Sequence, residues 1–179
     1  MSLFQSSLVT GVILSVIGIL AIKPNAKVRA SFLAFPRSKN LSIIFIGIAT
    51  AWFLIRHIAF LGEADFGSYK ILIGTIALGT SILSFIFVPD FLAVRGLAMI
   101  ILLWSREVLD SAFLQDASSR LFLVSVIYLL ILSSIYFGAW PYKMRDFMEW
   151  LMKRNNRIST LGSFLGIAGI LIVILSFSY

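Results

Sequence analysis

LFLVSVIYLLILSSIYFGAW (residues 121–140) runs without a charged side chain, meets Pro141, and gives way to the basic stretch YKMRDFMEWLMKRNNR (142–157). LGSFLGIAGILIVILSF (161–177) then restores the apolar run. Twenty apolar residues at 1.5 Å rise cover the roughly 30 Å hydrocarbon layer of a bilayer. Inside that layer each backbone N–H and C=O needs a partner, which a helix supplies within its own segment. A membrane-spanning strand would alternate apolar and polar residues, and these runs are apolar all round. The stretch therefore reads as span, basic segment, span.

Working outward, the same plan returns near the start. Apolar runs at about 8–22 and 41–61 flank Pro24 and a segment rich in Lys and Arg. Further runs lie at 71–88 and 91–114. The latter contains Arg95, Arg106, Glu107 and Asp110, and reads as a full span rather than a re-entrant segment. The expected fold is an all-α membrane protein, one domain over 1–179. It is a bundle of about six transmembrane helices with two basic interfacial amphipathic helices, and with possible span–basic helix–span modules at 8–61 and 121–177.

Composition agrees. Of 179 residues, 60% are hydrophobic and 13% charged, against roughly 45–50% and 25% in soluble domains. The mean hydropathy is +1.01. Without cysteine there is no disulfide, thiolate metal site or cysteine nucleophile. The single histidine, His57, excludes any site that needs two. No basic residue precedes the first apolar run and no small-residue cleavage site follows it, so that run reads as a span of the mature protein and not a signal peptide.

The net charge of +7 is explained by membrane topology without a nucleic-acid partner. Lys23, Lys27, Arg29, Arg37 and Lys39 crowd the first loop, and Lys143, Arg145, Lys153, Arg154 and Arg157 the fifth. Basic loops face the cytoplasm, and four crossings between these two place both there. The loops of Glu63 and Asp65, and of Asp110 and Asp116, then face outward, as do both termini. Tyr69, Trp104, Trp140, Tyr142 and Tyr179 fall at span ends, as an interfacial aromatic belt requires. Trp52 and Tyr128 lie deeper and read as packing residues.

In the first basic segment Val28, Phe32 and Phe35 recur at helical spacing. Met144, Phe147, Met148 and Leu151 do so in the second. Both are expected to lie in the headgroup plane, apolar face down, with Lys27, Arg29, Arg37, Lys143, Arg145, Arg154 and Arg157 toward anionic lipid.

Pro141, the run KMRDFMEWLMKRNNR and the glycines Gly162, Gly166 and Gly169 make the last third resemble the small two-span bacterial membrane proteins of the DUF2065 (YjeT-like) family. The stretch AFPRS (Ala34 to Ser38) and the Arg95–Gly96 pair make the whole chain similar to uncharacterised bacterial multi-span membrane proteins. The resemblance implies a bacterial inner-membrane location and no particular activity.

Charges inside a membrane default to functional hypotheses. Arg95 and Arg106 stand 11 residues apart, on nearly one face of a helix, and Asp110 follows Arg106 at i+4. Together they form either an intramembrane polar stripe or, the favoured alternative, three interfacial residues with Arg95 snorkelling. His57 follows Arg56, with Glu63 and Asp65 nearby. A proton relay is one reading, and a locally solvated interfacial histidine the commoner one. Gly162 and Gly166 form GxxxG, and Gly169 extends the small face, so a helix is expected to approach closely there, from the same chain or another. Gly74 and Gly79 are candidates for the same role in the third span.

No HExxH, P-loop or GxSxG is present, nor broken spans in corresponding halves. The expected function is a non-catalytic membrane subunit or scaffold, without cofactor or metal, that binds anionic lipid and packs in a larger or oligomeric assembly. The alternative is a small oligomeric channel or transporter lined by the fourth span.

Overall fold

The computed structural model describes residues 1–62 and 66–178. Glu63, Asp65 and Tyr179, which entered the topology, histidine and aromatic-belt expectations, lie outside the described residues. Eight α-helices and no strands are found among the described residues: α1 (Leu3–Ile22), α2 (Ala26–Ala34), α3 (Lys39–Phe53), α4 (Lys70–Phe87), α5 (Leu92–Ala112), α6 (Arg120–Ala139), α7 (Pro141–Met152) and α8 (Asn155–Ser176). Five helical segments are long and apolar enough to cross a membrane: Leu3–Ile22, Lys39–Ile58, Gly67–Phe87, Arg120–Ala139 and Asn155–Ser176. At 21 residues and about 31 Å, α5 is as long as these, but it carries Arg95, Arg106, Glu107 and Asp110.

Local signals explain the boundaries. α1 begins five residues before the expected 8, because the Ser2 hydroxyl accepts the Gln5 N–H at 3.2 Å while the Gln5 side chain accepts the Ser2 N–H at 3.3 Å. This reciprocal cap satisfies two donors that a helix start leaves free. Lys23, disfavoured from helix by the Pro24 ring, ends it. Ser38 caps α3 through the Leu41 N–H. Pro141 occupies the first turn of α7, where its missing N–H costs nothing. α8 starts at Asn155, six residues before the expected 161, and so takes in polar residues that hydropathy alone assigns to the loop.

α1 and α8 make the most intimate helix pair, and they run antiparallel. Gly11, Ser15, Gly18 and Ile22 on α1 oppose Val173, Gly169, Gly166 and Gly162 on α8, both series stepping by four, three and four residues. A Cβ on Gly162 would lie 2.8 Å from the Gly18 carbonyl oxygen, and one on Gly11 2.8 Å from the Gly169 carbonyl oxygen. Backbone meets backbone, which is how membrane helices associate when lipid is as apolar as leucine. The expected close approach thus falls within one chain. It builds the bundle and identifies no partner. Gly79 faces open space, and Gly74 makes ordinary contacts with Leu54 and Ile58.

α5 lies against α1, α3 and α6. Its Leu92, Ala93, Val94, Ala98, Val108 and Ala112 are buried. Leu3, Leu14, Val108, Leu123, Ile127 and Ile172 close the core where α1, α5, α6 and α8 meet. Trp104 is partly buried in this bundle: its indole N–H donates to the Thr10 hydroxyl at 3.0 Å, and its ring meets Trp52 edge-on at 6.2 Å. Tyr128, read as a packing residue, is exposed on the outer surface of α6.

Two glycine substitutions separate these environments. Gly18→Leu should lower unfolding stability in mixed micelles by about 3 kcal/mol or more, because α1 and α8 must separate. Gly79→Ala should leave stability unchanged or raise it by up to about 1 kcal/mol, since it only removes glycine's helix penalty.

Candidate functional site

The charged side chains gather at the two ends of the bundle. At one end α3 passes into a π turn over Leu54–Ile58, closed by the Ala59 N–H donating to the Leu54 carbonyl at 2.9 Å. Such turns insert a residue into the helical ladder and re-aim the side chains they carry. Here they carry Arg56 and His57. The Arg56 guanidinium reaches across to α5 and meets Glu107 at 3.0 Å, with Arg56 half exposed and Glu107 largely shielded. The His57 ring stacks on Phe53 at 5.7 Å, and its Nδ1 is buried without a hydrogen-bond partner among the described residues. Arg106 and Asp110 stand close by on α5, 3.8 Å apart and exposed.

Of the two readings of Arg95, Arg106 and Asp110, the placement is that of residues near the helix ends, with Arg106 and Asp110 paired at one end and Arg95 at the other. Arg95 sits in the first turn of α5, about 16 Å along the axis from Arg106, and the helix between them turns a small, apolar face inward. The pair that joins two helical segments at this end is Arg56 with Glu107. The sequence placed these two residues on different runs 51 positions apart, with nothing to give the register between them. Their shared feature, a charge near the end of an apolar run, was the one available signal.

A polar seam continues inward from this end between α1 and α5. The Ser6 and Ser111 hydroxyls lie 2.7 Å apart, and Thr10 accepts from Trp104. Ser7 is fully buried beside them and its hydroxyl has no partner among the described residues.

At the opposite end the two basic segments lie side by side. Arg29 of α2 donates to the Met152 carbonyl and to Asn155 Oδ1, both at 2.8 Å. It thus places a cation on the free carbonyls at the C-terminus of α7, where the helix dipole is negative. Leu151, Met152, Ile158 and Ala21 are buried under this contact, with Phe32 and Phe147 packed against them. Of the side chains expected to point toward the acyl region, Leu151 is buried in this cluster and Phe32 and Phe147 pack against it half-buried, because two short helices and two helix ends share one surface.

The seven basic residues read as headgroup ligands divide accordingly. Arg29 is spent on α7. Arg145 pairs with Asp146 at 2.6 Å and reaches Glu149 at 3.8 Å. Arg157 lies over the Trp150 ring at 4.3 Å and donates to the Trp150 carbonyl. Lys27, Arg37, Lys143 and Arg154 are exposed, and none forms an ion pair with a described residue. Arg37 rests over Phe91 at 5.5 Å and Lys143 over Tyr142 at 5.6 Å.

Around α4 the packing is open. No α4 residue is buried. It is tied to α3 by Thr50 and Ser81, whose hydroxyls lie 2.7 Å apart, and near its start by Lys70 donating to the Ala59 carbonyl. Cavities of about 630 and 410 Å³ lie on either side of the Thr50–Ser81 bond. Among the described residues no group of three or more His, Asp or Glu side chains is arranged to hold a metal ion.

No family model matches this chain, and comparisons with curated proteins and with solved structures returned no match.

The Arg56–Glu107 pair joins the α3 turn to α5 and is open to charge reversal. Glu107→Ala should destabilise the protein by about 1 kcal/mol. Arg56→Glu combined with Glu107→Arg should recover most of that loss. A double-mutant cycle on unfolding midpoints reads the coupling.

Proposed function

We propose that this protein is a non-catalytic membrane subunit of the bacterial cytoplasmic membrane that holds anionic lipid at its basic end and offers α4 to a protein partner or a second copy. The observation that carries this reading is the Arg29 bridge. It joins two segments 123 residues apart into one basic platform from which Lys27, Arg37, Lys143 and Arg154 project unpaired. Each such cation near an anionic surface is worth about 1 kcal/mol. α4, apolar and without a buried residue, is the face left for a neighbouring protein.

In this reading α5 crosses as well, giving six spans. Its Phe91 end lies under Arg37 on the basic side, and its Asp110 end lies with Arg56 and the start of α1 on the other. The platform then faces the cytoplasm and both termini face outward. A conducting path along α5 has less support. The face it turns to its neighbours is packed with Leu92, Val94, Ala98 and Val108, while Arg106 and Asp110 are exposed on the outside of the bundle.

Because the chain has no cysteine, single cysteines report topology directly. Asn25→Cys and Asn155→Cys should react with an impermeant maleimide only from the cytoplasmic side, and Ser118→Cys only from the other. Labelling of Asn25→Cys and Asn155→Cys from opposite sides would overturn the six-span arrangement. Changing Lys27, Arg37, Lys143 and Arg154 together to Gln should reduce the preference for phosphatidylglycerol over phosphatidylcholine at least tenfold, measured by lipid retention on the purified protein.

A further inference from the structure

The space between α3 and α4 has the shape and the charge placement of a lipid site. Its α3 wall is one continuous helix face, Ile43, Ile46, Gly47, Thr50, Ala51 and Leu54, and Leu78, Ile82 and Phe85 of α4 face it. From Ile43 to Leu54 the helix rises about 16 Å, close to the depth of one leaflet of a roughly 30 Å hydrocarbon layer. The hydroxyls of Thr50 and Ser81 are satisfied by each other, so the wall presents little unpaired polarity to an acyl chain. Gly47 leaves the groove open, since a Cβ there would meet nothing within 4 Å.

Charge marks one mouth of this groove. Lys39 lies one turn before Ile43 on the same face of α3, exposed and without an ion pair to a described residue. Arg37 stands two residues earlier, over Phe91. Asp90, in the turn between α4 and α5, is the carboxylate adjacent to Phe91 in sequence, and it pairs with neither cation. The α3 face thus leads from a cationic mouth to an apolar channel of about one acyl chain's depth. We propose that this groove binds one acyl chain of an anionic phospholipid whose headgroup phosphate is held by Lys39. The lipid seats α4, which protein contacts alone leave loosely attached. This inference rests on the reading of the basic end as the side facing anionic lipid.

The test uses the full chain purified in detergent, titrated with dioleoyl phosphatidylglycerol or dioleoyl phosphatidylcholine, with bound lipid counted by native mass spectrometry. The wild type should retain one phosphatidylglycerol at least tenfold more firmly than phosphatidylcholine. Gly47→Trp should remove that one equivalent by filling the groove, without lowering the unfolding midpoint. Gly47→Leu serves the same purpose where the larger ring disturbs folding. Lys39→Glu should weaken phosphatidylglycerol about tenfold and leave phosphatidylcholine unchanged. Undiminished retention by folded Gly47→Trp and Gly47→Leu would overturn the site. So would equal retention of the two lipids, or a wild-type dimer that Gly47→Trp dissociates, which would put a second copy in the groove. The fourfold Gln variant of the platform separates the two readings. Loss of lipid preference there with no effect of the Gly47 variants sinks the groove alone, and the reverse pattern sinks the platform alone.

Discussion

The bundle depends on backbone approaching backbone between α1 and α8. With Gly18 set against Gly162 and Gly166, the helices lose the width of a side chain between them, and dispersion acts over matched surfaces instead of scattered tips. That closeness fixes the register of the pair. The register in turn brings the α1–α2 turn beside the α7–α8 turn, where Arg29 finds Met152 and Asn155. It also turns Ser6 and Thr10 toward α5, where Ser111 and Trp104 complete a polar seam. A side chain on any of the tightest glycines disturbs the contact from which both ends take their position.

The two ends of the molecule are built differently. At the basic end, Arg29 and Arg157 are absorbed into a helix end and an aromatic face, and Arg145 pairs with carboxylates of its own helix. Lys27, Arg37, Lys143 and Arg154 form no ion pair with a described residue. At the other end opposite charges meet across helices, with the π turn bringing Arg56 to Glu107. Between them α5 supplies an apolar inward face and keeps its charges in its terminal turns. α4 stands apart from this economy of contacts, held by a hydroxyl pair and a lysine, with open space on either side.

Hydropathy made the helical class, the apolar runs and the two basic segments legible, because crossing a hydrocarbon layer demands long uncharged stretches. It erred at helix starts such as Leu3 and Asn155, where caps and polar first turns set the limit. The glycine face on α8 was legible as a close-approach surface, but its partner was not. Gly11, Ser15 and Gly18 carry the matching spacing on α1, and the match appears only when the two segments are aligned in opposite directions. On α5 helical periodicity set Arg95, Arg106 and Asp110 on nearly one face, but it relates residues within one helix and says nothing about which neighbour covers each turn. The Arg56–Glu107 contact was out of reach for the same reason, and so was the spending of Arg29 on a carbonyl.

The α1–α8 pairing also orders events in time. Gly11, Ser15 and Gly18 lie on the α1 surface that α8 covers, and α8 is made some 150 residues later. Contacts so distant in sequence close late, after the loop between them has been searched. While the intervening helices are being laid into the membrane, this small-residue stripe still lacks the helix it fits. The structure therefore completes itself by docking its two most separated helices, and the register of the bundle is set last.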